Sequence, residues 1–382
     1  MTFSALPFGS TLRDYVQQAD DLHAGWQAGE ADAVRVFRSR HPKFLDDKVV
    51  WLQREMTDAE ARAVPIDRED AKLAVARWYD FQDWSKLEEH LAEVAKGGGV
   101  ARFERAVEAV IDGDAATLRR LLQEDPDLVR ARSTRVNCFD PPVHRATLLH
   151  YLAANGVEGY RQRSPKNAVE IATMLLDAGA DPNALQDSSG GKNTTLTLLV
   201  SSTPPRQAGV QVPLVETLID RGAAIHPRGE GNWDDPLITA LVFGMRDAAA
   251  ALVRGGARID SLPKAAGLGR IDDVKRLLPS ATAHDRHGAL ALAAQLGHLE
   301  VAELLLDAGE DPNRFNPKGY HGHSTPLHQA IAHGHFEVAK RLIERGARLD
   351  IKDTLFKGTP LGWAEYCNQP QIAELIREVA KQ

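Results

Sequence analysis

The sequence predicts an all-α solenoid of stacked helix pairs, about eight of them over residues 103–380, behind an all-helical region over residues 1–96. Three observations predict it. One phrase recurs at intervals of about 33 residues, the mark of a repeat architecture. Within each copy the apolar residues fall three and four apart, as in Val301, Leu304 and Leu305 or Val338, Leu342 and Ile343, giving each helix one stripe to bury. Finally, no alternating apolar and polar run of strand length occurs.

In the N-terminal region, Leu12, Tyr15, Val16, Ala19 and Leu22 share one helical face. Thr57 and Glu60 form a capping box, so a helix starts there. Leu73, Val75, Ala76 and Trp78 precede Asp83, which caps a further helix carrying Leu87, Leu91 and Val94, and Gly97, Gly98 and Gly99 end it. Trp26, Trp51, Trp78 and Trp84 are expected to pack in this region.

A helix pair at 103–131, with a turn at Gly113 and Asp114, opens the repeat array. The clearest copies come last: ALALAAQLGHLEVAELLLDAGEDPN (289–313), TPLHQAIAHGHFEVAKRLIERGARLD (325–350) and TPLGWAEYCNQPQIAELIREVA (359–380). Weaker ones start at Thr147, Thr194 and Asp235, and 262–278 is a truncated copy lacking most of its following finger. Gly309 and Gly346 follow second helices, where a left-handed residue ends the helix. Two inserts, at 156–167 and 201–212, separate the paired helices of consecutive repeats; neighbouring repeats stack, so these loops are expected side by side, on a working face.

Thr325, Pro326, Leu327 and His328, followed by Gly334 and His335, spell a helix-opening tetrapeptide and turn by which the array resembles the ankyrin family. The segment 70–91 is similar to a short helical element that precedes ankyrin arrays in many bacterial proteins. The resemblance implies hairpin fingers and a concave surface that binds another protein. It assigns His328, and its counterpart His150, to hydrogen bonds within the hairpins, and His298 and His335 to the helical turns. It also implies exposed, partner-binding positions at Asn155, Val242, Phe243, Gln295, Leu296, His333 and Tyr366, with His321 and His323 on a finger.

Other functions lack a signature. The net charge is −7, with the acidic excess mostly in the first hundred residues and no basic block, which argues against a nucleic-acid partner. The absence of a long apolar run or leader points to a cytoplasmic protein without a membrane partner. Cys138 and Cys367 are expected to stay reduced. The segment QDSSGGKNTT (186–195) resembles a phosphate loop only loosely, since Asn193 follows the lysine, and reads as a polar hairpin. Five histidines between 321 and 335 lack a nearby Cys, Asp or Glu, so no metal is assigned, and no cofactor. His150, Asp112, Asp114 and Tyr366 have no sequence-defined catalytic partner. The alternative to a protein-binding scaffold is an enzyme or small-molecule binder whose concavity is closed by the inserts and the N-terminal region.

Overall fold

A computed structural model describes residues 3–188, 191–226 and 234–381; Ser189 and Gly190, the middle of the anticipated hairpin, lie outside the described residues. The chain forms two compact units, 1–224 and 225–382. Both are all-α apart from one two-stranded sheet among the described residues.

The first unit begins with five helices, Leu12–Gln27, Ala31–Arg40, Asp58–Ala63, Arg68–Trp78 and Trp84–Ala95. The capping box at Thr57 and Glu60 forms as expected, and Asp83 caps the fifth helix by accepting from the Lys86 amide. Their apolar faces meet in one core built on Leu22, Val36, Phe37, Phe44, Val75 and Tyr79. Trp26 sits edge-on to Phe37 and Phe44, with ring centroids 4.9 and 5.4 Å away, and Trp78 and Trp84 also pack on this core. Trp51 departs from expectation. It is 62% exposed, in the short loop between Leu45 and Gln53, whose backbones pair and turn the residues between them outward.

Three helix pairs follow: Gly99–Asp112 with Ala115–Glu124, Leu148–Tyr151 with Ala168–Asp177, and Thr195–Leu199 with Gln211–Asp220. The anticipated hairpin forms between the second and third pairs, with Gln186 opposite Asn193 and Ser188 opposite Gly191. Gln186 and Asn193 are buried, however, because each side chain closes a backbone gap: Gln186 donates to the Gly156 carbonyl (2.8 Å) and Asn193 to that of Ser188 (2.9 Å).

The second unit stacks five pairs: Pro236–Val242 with Arg246–Arg254, Leu262–Gly267 with Ile271–Leu277, Ala283–Leu296 with Leu299–Asp307, Pro326–Ala332 with Phe336–Glu344, and Pro360–Tyr366 with Pro370–Val379. One core of Leu, Val, Ile and Ala runs through the later four. The truncated copy passes through a single 3₁₀ turn at Leu278–Ser280 into the next repeat, with no finger between.

Within each unit, polar motif residues tie neighbouring repeats together. Asn313, which ends one repeat, donates to the Gly346 carbonyl (3.0 Å) and accepts from the Arg348 amide (2.7 Å) in the next; Asn183 does the same with Gly222 (2.8 Å) and Ala224 (2.7 Å). His335 donates to the Gln295 carbonyl (3.0 Å) one repeat earlier. Its ring lies so close to Gly297 that a Cβ there would stand 2.6 Å from Nδ1, and Gly297 has φ +75°, so the Gly-His pair is one inter-repeat joint. Beyond the hairpin at 186–193, the fingers described are turns held by such bonds.

Val301 and Leu305 are fully buried, whereas Leu304, expected in the same stripe, packs at the margin of the core. Leu305→Ala should therefore cost about 2–5 kcal/mol in urea unfolding, and Leu304→Ala distinctly less.

Candidate functional site

The expected partner-binding positions in the second unit divide into two sets. Val242, Gln295 and Leu296 are buried. Their expected exposure is corrected by the packing around Ala283–Leu296, a helix enclosed on every side over its last ten residues. The end of Pro236–Val242 leaves an unsatisfied carbonyl at Val242, and the Gln295 side chain turns inward to donate to it (2.6 Å). Phe243 and Tyr366, in contrast, are 43% and 93% exposed. In the first unit Asn155 is half-buried and donates to Ser201 Oγ (2.9 Å) in the following repeat.

The histidines are placed by backbone partners. His321, at φ +59°, donates through Nε2 to the same Val242 carbonyl (2.9 Å). His328 accepts at Nδ1 from the Thr325 hydroxyl (2.8 Å) and donates through Nε2 to Gly358 O (3.3 Å), joining its own helix start to the next finger. His333 donates through Nδ1 to Gln329 O (3.0 Å). His323 stands between His321 and the rings of Phe356 and Trp363, at centroid distances of 6.1, 5.9 and 6.1 Å. Burial lowers the pKa of His321, His323, His328 and His335, so these rings are neutral near pH 7, three of them as donors. A row of rings thus runs along the fingers, from His321 to the 52% exposed Phe356.

The acid–base candidates are spread apart. His150 is buried against the Thr147 hydroxyl (2.8 Å), Asp114 caps the helix beginning at Ala115, and Asp112 pairs with Arg163 (2.6 Å).

A second cluster, in the first unit, went unread in the sequence. The insert 156–167 does not stand free as a loop: its Tyr160 packs on the N-terminal core, while Pro165 and Asn167 press against the Gly113 turn. Arg161, 3% exposed, donates to Glu104 Oε2 (2.6 Å) and Glu108 Oε1 (3.0 Å) on the first helix of the array. Arg135, equally buried, donates to the Tyr79 carbonyl (2.9 Å) and the Tyr160 hydroxyl (2.8 Å), and its guanidinium lies 4.1 Å from the Phe81 ring centre. Glu158 stands 3.4 Å from Arg135 and 3.8 Å from Arg161. Asp80, fully buried at φ +62°, pairs with Arg40 (3.0 Å) and accepts from the Gly159 amide.

The electrostatics follow from burial and this pairing. Burial alone would raise the Glu104 carboxyl, but Arg161 and then Arg135 hold it down at about 2. Burial and then Arg135 push His90 down to about 4. Asp80 is pushed up to about 6, burial outweighing Arg40. A signal for this cluster existed in the sequence: Glu104 shares its helix face with Val107 and Ile111, where a carboxylate needs a buried cation.

Two predictions follow from the cluster. Arg161→Met strands Glu104 and Glu158 in the interior and should cost about 3–5 kcal/mol. Adding Glu104→Leu should recover part of that loss, giving a clear coupling energy in a thermal double-mutant cycle. The His90 contribution is intact above its ordinary value of 6.5 and lost as pH falls towards 4; that of Glu104 is intact above 4.5 and lost as pH falls towards 2. Asp80 acts oppositely, its share being lost as pH rises from 3.8 to 6. His90 and Asp80 thus offset each other between pH 4 and 6, and His90→Gln should expose the Asp80 trend, so that stability to urea falls as pH rises through this window more than in the parent, while a slope unchanged from the parent would remove His90 as a contributor.

Comparison with known proteins agrees with the geometry. The family description "Ankyrin repeats (many copies)" matches residues 290–343 and 327–376. Human cyclin-dependent kinase 4 inhibitor B is 30% identical over 35% of this chain and 96% of its own length. The ankyrin repeat and KH domain-containing protein mask-1 of Caenorhabditis elegans is 27% identical over 54% of this chain, and the putative E3 ubiquitin-protein ligase XBAT31 of Arabidopsis thaliana 31% identical over 28%. The chain spans only 8% and 22% of the lengths of those two proteins. With the repeat joints at Asn313, His328 and His335 in place, this chain belongs to the ankyrin-repeat family.

Proposed function

We propose that the chain is a protein-interaction scaffold whose second unit presents the binding surface. The observation that carries this reading is the set of exposed rings at the ends of first helices and on the fingers: Phe243, Tyr366 and Phe356, with His323 beside the last. Aromatic side chains give a partner a large apolar area at small entropic cost, and exposed groups of them mark interfaces. Val242, Gln295 and Leu296 support this surface from beneath, and His321 and His333 hold its backbone. The family supports the reading, and so does the name of a relative that describes inhibition of a kinase, another protein. In the first unit, residues 1–96 act as the cover of the leading helix pair, replacing the missing neighbour of the first repeat.

No helix among the described residues is long and apolar enough to cross a membrane. We place the protein in the cytoplasm, its two cysteines free.

The test uses the intact chain. A partner cross-linked to the parent protein and identified by mass spectrometry should lose about 2 kcal/mol of binding, roughly 30-fold, with Tyr366→Glu, because a charge placed at an interface centre is desolvated without a counter-ion. At 93% exposure Tyr366 can be changed without altering the melting temperature. Phe243→Glu should act in the same direction. Undiminished binding by both folded variants would remove this face from the site.

A further inference from the structure

Two fingers of the second unit, 314–323 and 351–358, lie side by side: the Thr354 amide donates to the His323 carbonyl (2.8 Å), and the Phe356 ring stands beside that of His323. Phe315 and Phe356 are both exposed on them. Their charge is one-sided. The chain as a whole carries −7, yet these two segments hold Arg314, Lys318, Lys352 and Lys357 against a single carboxylate, Asp353. Asp353 is buried, and its oxygens are taken up inside the finger. Oδ1 accepts from the amides of Leu355 (2.9 Å) and Phe356 (2.6 Å), and Oδ2 from the Gly358 amide (2.7 Å) and Trp363 Nε1 (3.0 Å). This carboxylate holds the turn that presents Phe356 and leaves the lysines without a counter-ion. Lys318 and Lys352 are exposed, with no hydrogen-bond or ion-pair partner among the described residues. Lys357 gives one of its three donors to the Thr354 carbonyl (2.8 Å). Arg314 shares Glu310 with Arg286, at 3.9 and 3.4 Å.

We infer that the partner segment docked on these fingers is acidic, a peptide whose carboxylates are spaced between apolar side chains. The inference rests on the scaffold reading above and supplies the partner chemistry which that reading leaves open. Phe315 and Phe356 offer apolar area to the one kind of side chain, and the unpaired ammonium groups offer charge to the other. A basic segment would meet like charge with no free carboxylate on either finger, and a neutral one would leave the lysines unused. A phosphate chain is anionic too, but it draws on a long cationic surface. Four cations in a chain of net charge −7 suit a short acidic peptide better.

The test measures fluorescence anisotropy of the full-length protein with labelled dodecapeptides. In one, Glu, Ser and Leu repeat in turn; in its analogues Gln or Lys replaces Glu. The Glu peptide should bind about tenfold more tightly than the Gln peptide, the Lys peptide should bind least, and the preference should shrink in about 1 M salt, where charges are screened beyond about 3 Å. Lys318→Glu and Lys352→Glu lie at exposed positions, so each should weaken the Glu peptide while leaving the melting temperature unchanged. Equal binding of the Glu and Gln peptides, preference for the Lys peptide, no binding at millimolar concentration, or displacement by an oligouridylate that binds more tightly overturns the assignment. So does undiminished binding in both folded variants. A cross-linked protein partner that needs Tyr366 and Phe243 but ignores both lysine reversals would overturn this inference alone and leave the scaffold reading standing.

Discussion

A helix pair of this length cannot bury both sides of its apolar stripe, and every other feature of the chain answers to that constraint. In the second unit each pair is covered by the next, and the core of Leu290, Leu305, Leu327 and Leu342 continues from repeat to repeat. Apolar contact alone leaves the spacing of neighbours loose. The bonds from Asn313 to Gly346 and from His335 to Gln295 fix it, because each satisfies a backbone group that stacking would otherwise bury unpaired.

The leading pair of the first unit has no earlier repeat to lean on. It packs instead against five helices with a core of their own, and the join between two unlike surfaces is where Arg135, Arg161, Glu104 and Glu158 are buried. Ion pairs are a poor way to gain stability, since desolvating them offsets most of the attraction. They discriminate well, because any other seating of Tyr160 and Arg161 would leave a charge alone in the interior. Complementary charge thus registers the N-terminal helices on the leading pair, as Asn and His register one repeat on the next.

What was legible in the sequence is what local chemistry dictates. The helix pairs, the cap at Thr57 and the turn at Gly334 and His335 follow from spacing and residue type, and the structure contains them. The surface was harder to read. Val242 and Leu296 occupy positions that are exposed in a regular repeat, but both are buried here, and the side chains of Gln295 and His321 converge on the Val242 carbonyl. The insert 156–167 reads as a loop because its sequence is polar; its Arg161 is buried against Glu104 and Glu108, more than fifty positions away, and such pairings carry no periodicity.

The histidines show how structural and partner-reading roles are separated in one segment. His321, His328 and His335 each donate to a backbone carbonyl, so their rings are committed to holding helix ends and fingers in place. Burial keeps them neutral, which suits a donor that must not carry charge into a stacked array. His323 differs: it lies beside Phe356 and Trp363 at the finger edge. The density of histidine between 321 and 335 is thus mostly a consequence of repeat joints falling close together in the chain. The burden of recognition passes to side chains that reach beyond those joints, above all Tyr366 and Phe356, whose exposed area no carbonyl or neighbouring repeat covers.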